Sequence, residues 1–205
     1  MKAIMFKRTA TAGLLAALTA SAWAAGGFDG YRAGVHDSAL AFDKNQYTTL
    51  NVTIDGQPVA VRWYKEVCYV ARPQLMAPVQ NGNSIANPQC GYQSMNIFVP
   101  ESAANDQNTA IYFAVSNSGW FASYVGTSVT NGASYNSSTS NVGAALKAGY
   151  VFINVGTRSR RLVAADGTAA GKAPTVAVDA KAAVRYLRLN DAAMPAAPVS
   201  SRYGR

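Results

Sequence analysis

Two short apolar runs, Ala110 to Val115 (AIYFAV) and Tyr150 to Val155 (YVFINV), constrain this chain more than any other feature. Both are nearly continuous rather than alternating, the pattern of strands covered on both faces. Between them Val142 to Ala148 (VGAALKA) makes a short helix ended by Gly149. Beyond the second run, Pro174 suits a first helical turn, and Val176, Ala180, Ala183, Val184 and Leu187 recur at helical spacing. Lys181, Arg185 and Arg188 fall on the opposite side, giving an amphipathic helix of about four turns. Strand, loop, helix, strand, loop, helix is the rhythm of a parallel sheet covered by helices.

Upstream the period changes from helical to twofold. Tyr47 to Ile54 alternates, with Leu50, Val52 and Ile54 on one face; Asp55-Gly56 supplies a turn, and Val59, Val61 and Trp63 resume the alternation. That is a β-hairpin. Gln93 to Val99 adds a short strand stopped by Pro100. The expected fold is therefore α/β, with a mixed sheet that starts from an antiparallel hairpin and a domain over residues 46–191. Residues 25–45 read as an irregular N-terminal segment. Ser116 to Asn141, packed with Ser, Thr, Asn and Gly, reads as a long loop, either a functional surface loop or a mobile one.

Residues 1–24 have the three parts of a secretory leader: Lys2, Lys7 and Arg8, the small-apolar run Thr9 to Ala20, and Ala22-Trp23-Ala24 before a cut between Ala24 and Ala25. The expected location is periplasmic or secreted, with no membrane span once the leader is removed. Without those three cations the balance is 15 basic to 10 acidic residues, a net charge of +5. Nucleic-acid binding needs clustered cations with interleaved aromatics, and only Thr157 to Arg161 (TRSRR) comes near that, so no nucleic-acid partner is expected. Arg158, Arg160 and Arg161 have two readings, neighbours of a carboxylate or phenol of a substrate and, preferred, an exposed loop; Asp166-Gly167 reads as a turn, and Asp179 as a solvent or helix-dipole residue. Cys68 and Cys90, the only cysteines, read as a disulfide in an exported chain. The single histidine, His36, is remote from them, and neither metal nor cofactor is expected.

Three stretches taken together, YQSMNIFVPE (Tyr92 to Glu101), VGAALKAGYVFINVGTRSR (Val142 to Arg160) and GKAPTVAVDAKAAVRYLRLND (Gly171 to Asp191), resemble secreted bacterial α/β-hydrolases of the tannase and feruloyl-esterase kind. The resemblance covers the N-terminal part of such enzymes, over roughly Val61 to Asp191. It implies an α/β-hydrolase sheet, phenolic or other carboxylic esters as substrates of the intact protein, and a serine nucleophile in a Gly-x-Ser-x-Gly turn after the strand that follows the last helix. It also implies that one oxyanion-hole donor comes from the loop after Ala110 to Val115, which makes Ser118, Gly119 and Trp120 the candidates. The family shows two adjacent glycines there; Trp120 stands where the second would be, and an ordinary Asn-Ser-Gly turn is the competing reading.

No Gly-x-Ser-x-Gly occurs in the chain; Gly126 to Thr130 (GTSVT) lacks the final glycine. His36 precedes every serine of interest, whereas this fold's order is serine, acid, histidine. Residues 192–205, with Pro195-Ala-Ala-Pro198, do not read as a buried strand; they read as a non-native-looking tail, out-of-frame or terminal sequence. The expectation is an esterase fragment truncated before the nucleophile strand and inactive alone. The alternatives are a non-catalytic exported binding module built on Trp63, Trp120 and nearby tyrosines, and half of a split hydrolase completed by a separately encoded C-terminal half.

Overall fold

The computed structural model describes Gly34, residues 37–116 and residues 120–195. The leader, its cut at Ala24 and Ala25, His36 and residues 196–205 lie outside the described residues. Eight strands and two α-helices follow in chain order: β1 (Thr48–Ile54), β2 (Gln57–Cys68), β3 (Val79–Gln80), β4 (Asn83–Ser84), β5 (Ser94–Pro100), β6 (Ile111–Val115), β7 (Ser134–Tyr135), α1 (Asn141–Lys147), β8 (Val151–Val155) and α2 (Ala173–Leu189).

The expected hairpin is present. Asp55 and Gly56 both take positive φ, at 49° and 80°, the geometry that matches the right-handed twist of two antiparallel strands. Six strands form one sheet in the order β6-β8-β5-β2-β1-β7. β1, β2, β5 and β8 are antiparallel neighbours, while β6 runs parallel to β8. The sheet is mixed, as the sequence predicts.

Alternation along the strands divides the core into two layers. Met95, Ile97 and Val99 of β5 and Val151, Ile153 and Val155 of β8 face α2, where Ala183, Tyr186 and Leu187 pack on them. Phe98 and Phe152 face the other way, with Val142, Ala145 and Leu146 of α1. The two helices therefore cover opposite faces. α1 starts at Ser140, whose side chain accepts from the Gly143 N–H, and Gly149 at φ 75° ends it.

Two expectations need correction. The run Ala110 to Val115 is not covered on both faces: β6 is an edge strand, its residues are only partly buried, and Tyr112 is 38% exposed. Residues 116–141 are more than a surface loop. They contribute β7, which pairs with β1, and they bury Val125 and Val129. Asn96, itself buried, ties part of this loop down. It accepts from the Glu66 N–H at the β2 irregularity and from the Trp63 indole, and donates to the Gly126 carbonyl. Farther on, Met194 is buried in the α2 layer and its carbonyl accepts from Gln107.

Candidate functional site

β6 and β8 lie side by side and parallel, yet the chain leaves β6 for α1 on one face and leaves β8 for α2 on the other. Adjacent parallel strands whose connections diverge in this way open a crevice outside their carboxyl ends, where open α/β sheets bind ligands. In this molecule the crevice is bordered by the segments after Val115 and after Val155.

The floor is backbone held at close range. Ser123 and Thr157 exchange two N–H···O bonds of 2.8 and 2.9 Å, the Val125 N–H donates to the Gly91 carbonyl, and the Gly156 N–H donates to the Ser94 carbonyl. A Cβ at Gly156 would lie 2.6 Å from the Gly91 carbonyl oxygen and 3.0 Å from the Val125 nitrogen, so only glycine fits. The Tyr69 hydroxyl donates to the Gly156 carbonyl from below. Burial pushes this phenol well above its ordinary pKa, and the nearby Asp179 charge pushes the same way. Two buried hydroxyls near this floor, Ser94 Oγ and Thr157 Oγ1, have no hydrogen-bond partner among the described residues.

Behind the floor lies a buried ion pair. Asp179 on α2 is 1% exposed and accepts from the Arg158 backbone N–H and from both the Nε and Nη2 of Arg158, at 2.8 to 3.0 Å. Gln93 donates to the same carboxylate, and the remaining Arg158 nitrogen donates to Gln74. This overturns two expectations: Asp179 is not a solvent residue, and Arg158 is not part of an exposed loop. Each carries a charge that only the other, together with hydrogen bonds, makes tolerable in that position.

In front of the floor stand Trp120, Phe121, Arg160 and Arg161. Trp120 is 55% exposed and takes φ 61°. The Ser159 hydroxyl donates to its carbonyl. Phe121 bridges Arg160 along the backbone, and its ring carries both neighbouring guanidinium groups. Of the three oxyanion candidates, Ser118 and Gly119 lie outside the described residues; Trp120 borders the crevice. Trp63 is a structural residue, stacked on Phe98 and bonded to Asn96. Tyr135 likewise braces its own loop through the Ser128 carbonyl and the Thr130 N–H. A separate groove of about 440 Å³ runs beside Tyr47, Trp63 and Glu66, where β1 begins and β2 ends.

Cys68 and Cys90 form a disulfide with Cα atoms 6.0 Å apart, holding the end of β2 to the loop before β5. Among the described residues no group of three or more His, Cys, Asp or Glu side chains is placed to hold a metal ion, and no helix is long and apolar enough to cross a membrane.

No protein-family model matches the chain, and no curated protein sequence does. Solved structures do, and they define a class: the chain resembles the N-terminal part of tannases, the tannin acyl hydrolases. The tannase of Fusobacterium nucleatum is 29% identical, with a TM-score of 0.58 over 78% of this chain and 31% of its own. The tannase of Lactobacillus plantarum is 26% identical, with a TM-score of 0.57 over 78% of this chain and 32% of its own. A tannin acyl hydrolase solved as a mercury derivative is 27% identical, with a TM-score of 0.57 over 78% and 33%. The chain thus spans about a third of the length of the tannases it matches.

Proposed function

We propose that this chain is the N-terminal portion of an exported tannase-like hydrolase that cleaves esters of phenolic acids, with residues 1–24 as leader and 46–191 as the folded part. The observation that carries this is the match of most of the chain to one third of several tannases, at up to 29% identity.

Topology gives the reading a mechanical sense. The β6-α1-β8 crossover moves along the sheet in one direction with its helix on one face. A right-handed crossover from β8 through α2, on the opposite face, returns in the other direction. The position beside β8 is already occupied by β6, so the next parallel strand falls on the open edge of β6. In a hydrolase of this class that strand carries the nucleophilic serine. Of the oxyanion candidates, Trp120 is the one among the described residues; on this reading its backbone N–H, at the start of the segment after β6, lies on the side of the crevice where the serine strand would add and is a donor for the oxyanion of the tetrahedral intermediate. One such donor commonly contributes about 3–4 kcal/mol to barrier lowering. Chemistry of this class also requires a serine elbow, an acid and a downstream histidine, and no Gly-x-Ser-x-Gly occurs in the sequence.

The test uses the chain alone and the chain co-produced with a polypeptide supplying the remaining strands and triad. Alone, it should release no phenol from a phenolic benzoate ester above background; together, the two should turn over. Turnover by the chain alone, with a serine-directed phosphonate bound to any of its residues, overturns the proposal.

A further inference from the structure

Two supports of the crevice floor each sit one residue from a half of the Cys68–Cys90 disulfide. Tyr69, next to Cys68, gives its hydroxyl to the Gly156 carbonyl. Gly91, next to Cys90, offers its carbonyl to the Val125 N–H. The stretch enclosed by the two cysteines carries Gln74, which accepts from Arg158, and Gln93 just beyond it donates to Asp179. Both roots of the excursion that holds the floor and the buried ion pair are therefore tied by one covalent bond.

The end of β2 is also held away from a regular strand path. Its register against β5 shifts between Tyr64 and Val67, and Glu66 takes φ 48°. A non-glycine residue keeps that conformation only where its surroundings enforce it. Asn96 enforces it by accepting from the Glu66 N–H, and Asn87 by donating to the Glu66 carboxylate. The bond at Cys68, two residues on, is the third restraint. Opening it lets a strained strand end relax, and Tyr69 moves with that end.

The two sulfurs differ in access. Cys90 is 4% exposed, whereas Cys68 is half-buried and lines the groove of about 440 Å³ at the end of β2. An attacking thiolate therefore meets the bond at Cys68. The Cys90 sulfur lies 3.3 Å from the Gln93 carbonyl oxygen, an acceptor in place for the S–H that reduction creates.

We propose that the Cys68–Cys90 disulfide is a redox-operated clasp on the crevice, opened at Cys68 by a dithiol that enters along the groove. One thiolate of the dithiol bonds to the Cys68 sulfur as the Cys68–Cys90 bond breaks, and the Cys90 thiolate takes a proton. The second thiolate of the dithiol attacks its own partner sulfur in that mixed disulfide and releases Cys68, which takes the other proton. The dithiol leaves as a disulfide, having given up two electrons and two protons. The floor then loosens while the β1–β2 hairpin and α1 stay folded. None of this depends on the hydrolase reading.

Hydrogen exchange of the full chain, oxidised and after dithiothreitol without denaturant, tests the clasp. Reduction should speed exchange by about tenfold or more at the Tyr69, Val125 and Arg158 amides, because local opening exposes them. Amides in Thr48–Ile54 and Asn141–Lys147 should not change, and reoxidation should restore protection. With glutathione as a monothiol probe and an acid quench, the adduct should map to Cys68. Unchanged exchange at the three floor amides, loss of protection over the whole chain, resistance to dithiothreitol, or an adduct on Cys90 overturns the proposal. The Cys68→Ala/Cys90→Ala variant should show the fast exchange without any response to dithiothreitol, and full protection in that variant also overturns it. If the variant fails to fold, reversible reduction of the unaltered chain decides. Ester turnover enters none of these measurements, so their failure and that of the hydrolase reading are separate.

Discussion

Thr157 buries a hydroxyl oxygen that finds no partner among the described residues, although its backbone is bonded on both sides to Ser123. An unpaired buried hydroxyl costs roughly 1–3 kcal/mol against a shape-matched methyl. Thr157→Val should therefore raise stability, by about 1 kcal/mol in chemical denaturation, where most core substitutions lower it. Legibility at this scale was uneven. Leu50, Val52 and Ile54 read correctly because alternation along a strand is a local pattern, and all three are buried. Asp179 did not, because flanking Lys181, Arg185 and Arg188 give its helix a charged look. The buried stripe Val176, Asp179, Ala183, Tyr186 and Leu187 includes it at spacings of three and four, which was the available signal. Its partner Arg158 lies 21 residues away on a loop, and no sequence period links the two.

At the level of elements, the Arg158–Asp179 pair joins α2 to the segment after β8, so it sets where that helix lies relative to the crevice. Breaking a buried pair by removing one partner leaves the other charge uncompensated, at a cost of about 3–5 kcal/mol. Asp179→Ala should lower the denaturation midpoint accordingly. Arg158→Met combined with Asp179→Leu should recover much of the loss, and a double variant as unstable as the single one would count against the pair. The other long strands and both helices were readable in sequence to within a residue or two, including the Gly149 stop of α1, whereas β2 runs on past Trp63 to Cys68 and the short strands β3, β4 and β7 were not read. The segment 116–141 was not, because its order comes from tertiary bonds rather than a period. Asp55 shows how: its carboxylate accepts from the Lys147 ammonium and from both the backbone and hydroxyl of Ser137. The Lys147 bond, followed by those from Ser137, holds that carboxyl well below the usual aspartate range. The covering of β6 on both faces was misjudged for a related reason, since an apolar run reports what a strand is suited to touch and not which neighbours are within reach.

Across the whole molecule, buried phenols set the alkaline limit. Burial raises the pKa of Tyr64, Tyr69, Tyr92, Tyr124 and Tyr186, the last to about 12 from an ordinary 10.0. A raised folded value means the neutral phenol is favoured by folding. That contribution is complete below the unfolded value and is lost as pH rises through the folded one. Urea midpoints should be level from pH 8 to about 9 and fall from about 10 upward, with a shallower fall for Tyr186→Phe. A level profile to pH 11 would contradict the burial of these rings. The stitching of the described chain's two extremities has a mechanical corollary. Asn190 accepts from the Phe42 N–H and donates to the Leu40 carbonyl, so the polypeptide enters and leaves the sheet at one spot. Tension applied through those extremities would load this small clasp first and peel it open, while the strand ladders beyond it stayed slack.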